Sequence, residues 1–244
     1  MNNLFPEDDL YGQVFMDYFQ GKLKGEAFLV RDDGSRDLFE VKSYFGSFES
    51  FAPVEKELLQ SAQPNNILDV GCGAGRFALY FQKLGWNVTA VDNSPLISKI
   101  AKLCGVKNII NKDIEKIDLP SEYFNTILLL GNNIGIGGTL DGAKRLLQKL
   151  FYASAKSGRV LLTSLNLSRT KEKLHLSYQE KRHKEGKYIG EIRLRAEYDD
   201  KIGNWFPWLL VESKELTSIA QETGWNIIKL MDEYFYGMVL EKKK

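Results

Sequence analysis

The chain has 244 residues, 43% of them hydrophobic and 27% charged, with a formal net charge of +1 and two cysteines. This fits one α/β domain with an appendage, or one and a half ordinary domains, of globular composition. The balance lacks the basic excess of a nucleic-acid binder, Cys72 and Cys104 have neither metal-ligand nor disulfide-framework spacing, and no apolar run reaches a membrane span.

Glu7, Asp8 and Asp9 are unlike the basic start of a signal peptide, so a cytoplasmic protein is expected. A first helix is predicted from Pro6, with acids at 7 to 9, to a stop at Gly21; Leu10, Tyr11, Val14, Phe15, Tyr18 and Phe19 form its apolar stripe. Its polar face lacks the basic residues of a membrane-surface helix. Phe28-Leu29-Val30, the turn Asp32-Asp33-Gly34-Ser35 and residues Asp37 to Val41 read as a hairpin. Tyr44-Phe45-Gly46 then leads into a helix over 53–62. Residues 1–50 are expected to form a cap or lid.

From residue 66 strands and helices alternate. Strands are predicted at 66–70, 87–91, 107–110, 124–130 and 159–165, and helices at 75–84, 95–104 and 140–156. Gly85, Gly105 and Gly158 serve as helix stops. Strands 124–130 and 159–165 are almost continuously apolar, as in a parallel sheet covered on both faces, and right-handed crossovers make it doubly wound. Residues 166–212 form an insertion: a polar stretch carrying His175 and His183, then two antiparallel strands through the alternating run 192–198 and through Trp205 to Val211. A helix at 213–223 and strands at 225–233 and 236–241 close the chain.

The chemistry centres on Asp69-Val70-Gly71-Cys72-Gly73-Ala74-Gly75-Arg76, a strand, a glycine turn and a helix start, followed one strand later by Asp92. A bare turn admits a ligand close to the backbone, and a carboxylate at the next strand tip accepts from ribose hydroxyls. The dinucleotide spacing is broken: the third glycine falls at Gly75 and Arg76 takes its place. No Gly-Lys-Ser/Thr follows, as a phosphate-binding loop needs. Arg76 either pairs with a carboxylate of the site or lies along the helix surface.

The pattern Asp-x-Gly-x-Gly-x-Gly resembles motif I of class I S-adenosylmethionine-dependent methyltransferases. Asp92-Asn93-Ser94 resembles that family's ribose loop, Asp113 in Asn111-Lys112-Asp113-Ile114 its adenine-binding acid, and Phe124 through Gly131-Asn132-Asn133 its fourth strand and functional tip. The likeness covers roughly residues 64–165 and the C-terminal helix and strands. It implies a Rossmann-like, doubly wound seven-stranded sheet with the last strand antiparallel, built from residues 51–165 and 213–244. It also implies S-adenosylmethionine as cofactor: Asp69, Gly71, Cys72, Gly73 and Gly75 about the methionine portion, Asp92, Asn93 and Ser94 at the ribose, Asp113 and Ile114 at the adenine, and Gly131 and Asn132 near the methyl group, with Arg76 also in the cofactor-binding set. Tyr44 joins this cofactor-binding set.

The Asn/Asp-Pro-Pro-Tyr/Phe signature of base- and glutamine-amide methylation is missing after strand four, and no metal triad is apparent. His175, Tyr178, His183 and Asn132 are the candidates for a catalytic group, the first three more simply read as exposed. Tyr11, Tyr44, Trp205, Trp208 and Tyr236 are candidates for an aromatic acceptor pocket. The expectation is therefore methyl transfer to a small-molecule acceptor. An RNA or protein acceptor is the alternative, kept open by the basic clusters at 171–173 and 181–187, and an NAD-dependent oxidoreductase is a more distant one.

Overall fold

A computed structural model describes residues 8–243. In chain order it has α1 (Leu10–Phe19), β1 (Phe28–Arg31), β2 (Arg36–Leu38), α2 (Pro53–Leu59), β3 (Asn66–Val70), α3 (Arg76–Lys83), β4 (Asn87–Asp92), α4 (Pro95–Leu103), β5 (Ile109–Asn111), β6 (Phe124–Leu129) and α5 (Leu140–Ala153). There follow β7 (Ser154–Leu165), α6 (Lys173–Lys184), β8 (Glu191–Tyr198), β9 (Lys201–Ile202), β10 (Phe206–Leu209), α7 (Ser213–Glu222), β11 (Trp225–Met231) and β12 (Phe235–Lys242). Seven strands form one sheet in the order β11-β12-β7-β6-β3-β4-β5. Strand β12 runs antiparallel to both β7 and β11, while β3 with β4, β4 with β5, and β6 with β7 are parallel. This is the Rossmann-like sheet expected from the sequence, with the penultimate position of the order held by the last strand.

The chain divides into two compact units, Met1–Phe51 with Asn65–Asp118 and Leu194–Phe206, and Ala52–Pro64 with Leu119–Arg193 and Pro207–Lys244. In the first, β1 pairs with β2 as the predicted hairpin. It also pairs with β8, Phe28 opposite Glu197 and Leu29 opposite Ala196. These strands therefore share a second sheet, ordered β10-β8-β1-β2 with β9 on β8. Helix α1 packs Val14 and Phe15, both fully buried, with Ala196, Tyr198, Phe39 and Val41. Burying two such side chains stabilises the unit by roughly 3–6 kcal/mol. Tyr198 Oη donates to Asp17 Oδ2 at 2.9 Å and accepts from Lys24 N at 2.8 Å, which satisfies the polar end of a buried ring.

Pro6 and Glu7, expected in the first helical turn, lie outside the described residues. Helix α1 starts instead at Leu10, capped by Asp9, whose Oδ1 accepts from Gly12 N at 2.8 Å. Gly21 stops it with φ +66°. Three further readings need correction. Helix α5 ends at Ala153, not 156, and β7 starts at once at Ser154. Gly158 is therefore no helix stop: it sits inside β7, where an added Cβ would meet Ser154 Oγ at 2.4 Å and Phe124 O at 2.9 Å. The irregular pairing of β6 and β7 between Phe124 and Thr126 absorbs the extra residues. Residues 173–184 of the insertion, read as a polar stretch, are the helix α6. The strands that follow match the expected pair in place, with β9 added after β8.

In the second unit Trp225 and Tyr236 are fully buried. Trp225 Nε1 donates to Leu147 O at 3.2 Å and Tyr236 Oη to Val211 O at 2.8 Å. Tyr236 is thus a satisfied core residue and does not line an acceptor pocket.

Candidate cofactor site

The site starts from the turn after β3. Gly71, Gly73 and Gly75 have φ of +70°, +56° and +91°, the left-handed region that side chains resist. Gly71 N and Cys72 N both donate to Val91 O, at 2.8 and 3.1 Å, so the turn is sewn to the end of β4. Gly75 also has no space for a Cβ, which would come within 2.4 Å of Val106 Cγ2. Cys72 is buried and its thiol is pushed up by that burial, so it is an inert small filler.

Asp92, at the tip of β4, accepts from Gly73 N at 3.1 Å through Oδ2 and from Ser94 N at 3.0 Å through Oδ1. Burial pushes its carboxyl up to about 7, against those two amides, and the charge of Asp9 adds to the rise. Asp69 is pushed up to about 7 by burial, partly countered by the guanidinium of Arg76. Its Oδ2 is buried with no hydrogen-bond partner among the described residues. A buried carboxylate oxygen without a donor is costly unless a ligand donor meets it. The guanidinium of Arg76 lies 4.2 Å over the Phe77 ring.

Ser94 is buried, and its hydroxyl is committed to protein: it caps α4 by accepting from Ile97 N at 3.0 Å and donates to Asp9 Oδ2. Asn93 lies between Asp92 and this cap. Asp113 Oδ1 accepts from Glu115 N at 3.0 Å, starting the short 3-10 turn after β5, and Ile114 is buried beneath it. Tyr44 stands against the turn, its Cδ1 at 3.3 Å from the position a Cβ on Gly73 would take. Its hydroxyl is 3.4 Å from that of Tyr11, whose ring stacks on Phe39 at 4.7 Å. Burial, with Tyr44 and Asp92 nearby, drives the Tyr11 phenol well above its ordinary value. Tyr11 and Tyr44, two of the five residues of the expected aromatic grouping, are thus brought together. The role of Asp9 beside this turn was absent from the sequence reading, since no motif marks it.

In the second unit, Gly131 and Asn132 follow β6 with φ of +69° and +67°. Asn132 N donates to Thr163 Oγ1 at 3.2 Å, and Asn132 Oδ1 is a second buried acceptor with no partner among the described residues. Trp208 packs on Gly135, where a Cβ would come within 2.6 Å of its ring. Trp205 instead lies under the Arg195 guanidinium at 4.6 Å. His175, Tyr178 and His183 all sit on α6. Tyr178 is buried rather than exposed, His183 is exposed in the last turn, and His175 Nε2 lies 3.7 Å from Glu172. No group of three or more His, Cys, Asp or Glu among the described residues could hold a metal.

The residues of the first unit fit an amino-acid nucleoside: a bare left-handed turn, a carboxylate at the neighbouring strand tip, and a buried acceptor at Asp69. Comparison with known proteins agrees. A methyltransferase domain family model matches residues 48–230, and the chain belongs to that family. It is a class I S-adenosylmethionine-dependent methyltransferase. A solved S-adenosylmethionine-dependent methyltransferase from Bacteroides fragilis, in complex with S-adenosyl-L-homocysteine, is 28% identical and covers 100% of this chain and 98% of its own, with a TM-score of 0.82. A malonyl-[acyl-carrier protein] O-methyltransferase from Pseudescherichia vulneris is 25% identical over 65% of each chain. A ubiquinone biosynthesis O-methyltransferase from Rickettsia conorii is 35% identical over 41% of this chain and 34% of its own. The chain thus spans less than two thirds of these curated relatives' lengths. The nicotinamide oxidoreductase alternative does not stand beside these matches.

Proposed function

We propose that this methyltransferase acts on a small molecule, most simply at an oxygen. The single observation that carries the cofactor geometry is the Gly73–Asp92 hydrogen bond at a turn whose neighbouring Asp69 keeps a buried, donorless oxygen. When bound, S-adenosylmethionine supplies an activated methyl on a sulfonium. Asp69 and the Gly71 to Gly75 backbone would receive the methionine portion and Asp92 the ribose hydroxyls. Asp113 with Ile114 would receive the adenine, and Gly131 with Asn132 would act near the methyl group. Tyr44 would shield the turn from water, which favours orientation over hydrolysis. Residues 51–165 and 213–244 form the cofactor-binding part in this reading, with residues 1–50 a cap and residues 166–212 an insertion shaping acceptor choice.

The near-neutral charge and the O-methyltransferase relatives support a small acceptor over RNA. Free Cys72 and Cys104 accord with a cytoplasmic setting. Incubation with S-adenosylmethionine carrying a deuterated methyl, a small-molecule extract, tRNA and total protein tests the assignment. Mass spectrometry is expected to find the label in a small molecule. Label confined to tRNA or polypeptide overturns the acceptor class.

A further inference from the structure

The first unit contains a cavity of about 430 Å³ along the flank of α3, in the size range of small-molecule sites. None of Asp69, Gly71, Gly73, Gly75, Asp92 or Asp113 lines it. The cavity therefore lacks the groups that would grip a ribose or an adenine, although Tyr44, Ala74 and Arg76 border it beside the turn. Its walls are rings and aliphatic chains: Phe45, Phe48, Tyr80 and Leu79, with Phe48 stacked on Tyr80 at 5.1 Å. Arg76 and Lys83 bring positive charge to the wall, and Glu49 is its one acid, already accepting from Ser47 Oγ. Lys83 is exposed and makes no ion pair among the described residues. Aromatic walls provide stacking surface, and an unneutralised ammonium at the edge selects a negative group.

We propose that this cavity is a second ligand site beside the cofactor's, bordered by Tyr44 and Arg76, and that it takes an aromatic anion. The ring lies between Phe45, Leu79 and Tyr80, and its carboxylate or sulfonate reaches Lys83. The site does not depend on the acceptor assignment, and of the cofactor-binding set it borders only Tyr44 and Arg76, none of the acids or turn glycines.

The test is a fluorescence titration with 1-anilinonaphthalene-8-sulfonate, an aryl sulfonate, on the full chain in saturating S-adenosylhomocysteine. Saturable one-to-one binding is expected. Leu79→Trp fills the cavity and should weaken the probe at least about tenfold, while affinity for S-adenosylhomocysteine stays within about twofold. Lys83→Glu, a surface exchange that leaves the core intact, should weaken it by about tenfold and keeps the test decisive should Leu79→Trp not fold. Absence of saturable binding, or probe affinity unchanged in Lys83→Glu or in a folded Leu79→Trp, overturns the site. A protein that binds the probe and ignores S-adenosylhomocysteine would reject the cofactor reading alone.

Discussion

Gly73 donates its amide hydrogen to Asp92 Oδ2 at 3.1 Å, so the glycine turn and the proposed ribose acid hold each other's position. Removing the acid loses both the ligand contact and this brace. Asp92→Ala is expected to weaken S-adenosylhomocysteine binding at least thirtyfold, about 2 kcal/mol, by calorimetry. Asp92→Asn, which keeps one acceptor, should lose less. Affinity unchanged in the alanine variant would remove Asp92 from the site.

Asp69 and Asp92 both stand near 7 in the fold against roughly 4 in the unfolded chain. Between those values the folded state binds more protons, so these groups make stability fall as pH rises from about 4 to about 7, and level off above. Denaturant unfolding at pH 5 and pH 8 should show a smaller difference in Asp69→Asn than in the wild type. The expected change is on the order of 1–3 kcal/mol in favour of the variant at the higher pH. An identical pH dependence in the two proteins would mean that Asp69 is not held protonated by burial.

An ammonium meeting Asp69 should draw its pKa down again and release a proton on ligand binding near pH 6.5. Calorimetric enthalpies for S-adenosylhomocysteine measured in buffers of different ionisation enthalpy should therefore differ in the wild type and differ less in Asp69→Asn, where Asp92 still titrates near 7.

Gly75 has two separate reasons to be glycine, its φ of +91° and the 2.4 Å approach of Val106 to a Cβ. Gly75→Ala should cost about 2–4 kcal/mol in thermal unfolding. In the Gly75→Ala/Val106→Ala pair the clash disappears, so the two losses should fall short of additivity, leaving the backbone strain of about 1 kcal/mol. Strict additivity would show that the valine relaxes freely.

Asp9 serves two helices at once, accepting from Gly12 N in α1 and from Ser94 Oγ and Leu96 N at the start of α4. Asp9→Ala should lower stability by about 2–4 kcal/mol, more than an ordinary cap. Ser94→Ala should cost about 1 kcal/mol while leaving cofactor affinity within about twofold, because its hydroxyl is spent on the cap. A large loss of affinity there would return Ser94 to the ligand contacts.

The parts of this fold legible in sequence are those written in local patterns. Strands β3, β4 and β6 announce themselves as apolar runs, and Ser94-Pro95 marks the start of α4 to the residue. Helix α6 escaped because its residues carry no apolar stripe: Leu174 and Leu176 are exposed and Tyr178 alone is buried. The start of β7 escaped because Ser154 to Lys156 reads as the end of the preceding helix and Gly158 as its stop, and only pairing with β6 makes it strand. The union of β1 with β8 is a pairing of distant segments, Phe28 with Glu197, which no local pattern encodes. The glycine turn and Asp92 were readable because ligand chemistry imposes fixed spacing. The bonds of Asp9 and the donorless oxygens of Asp69 and Asn132 were not readable, since burial and hydrogen-bond partners arise only on folding.

The pairing of β1 between β2 and β8 separates the region of family similarity from the smallest fragment able to fold. A piece trimmed to residues 48–230 would discard β1 and leave β8 with a bare edge. It would also discard β12, the strand that joins β11 to β7. Such a piece would present three raw strand borders, on β8, β7 and β11, to its neighbours and should precipitate, whereas the chain carrying β1 and β12 keeps them sealed.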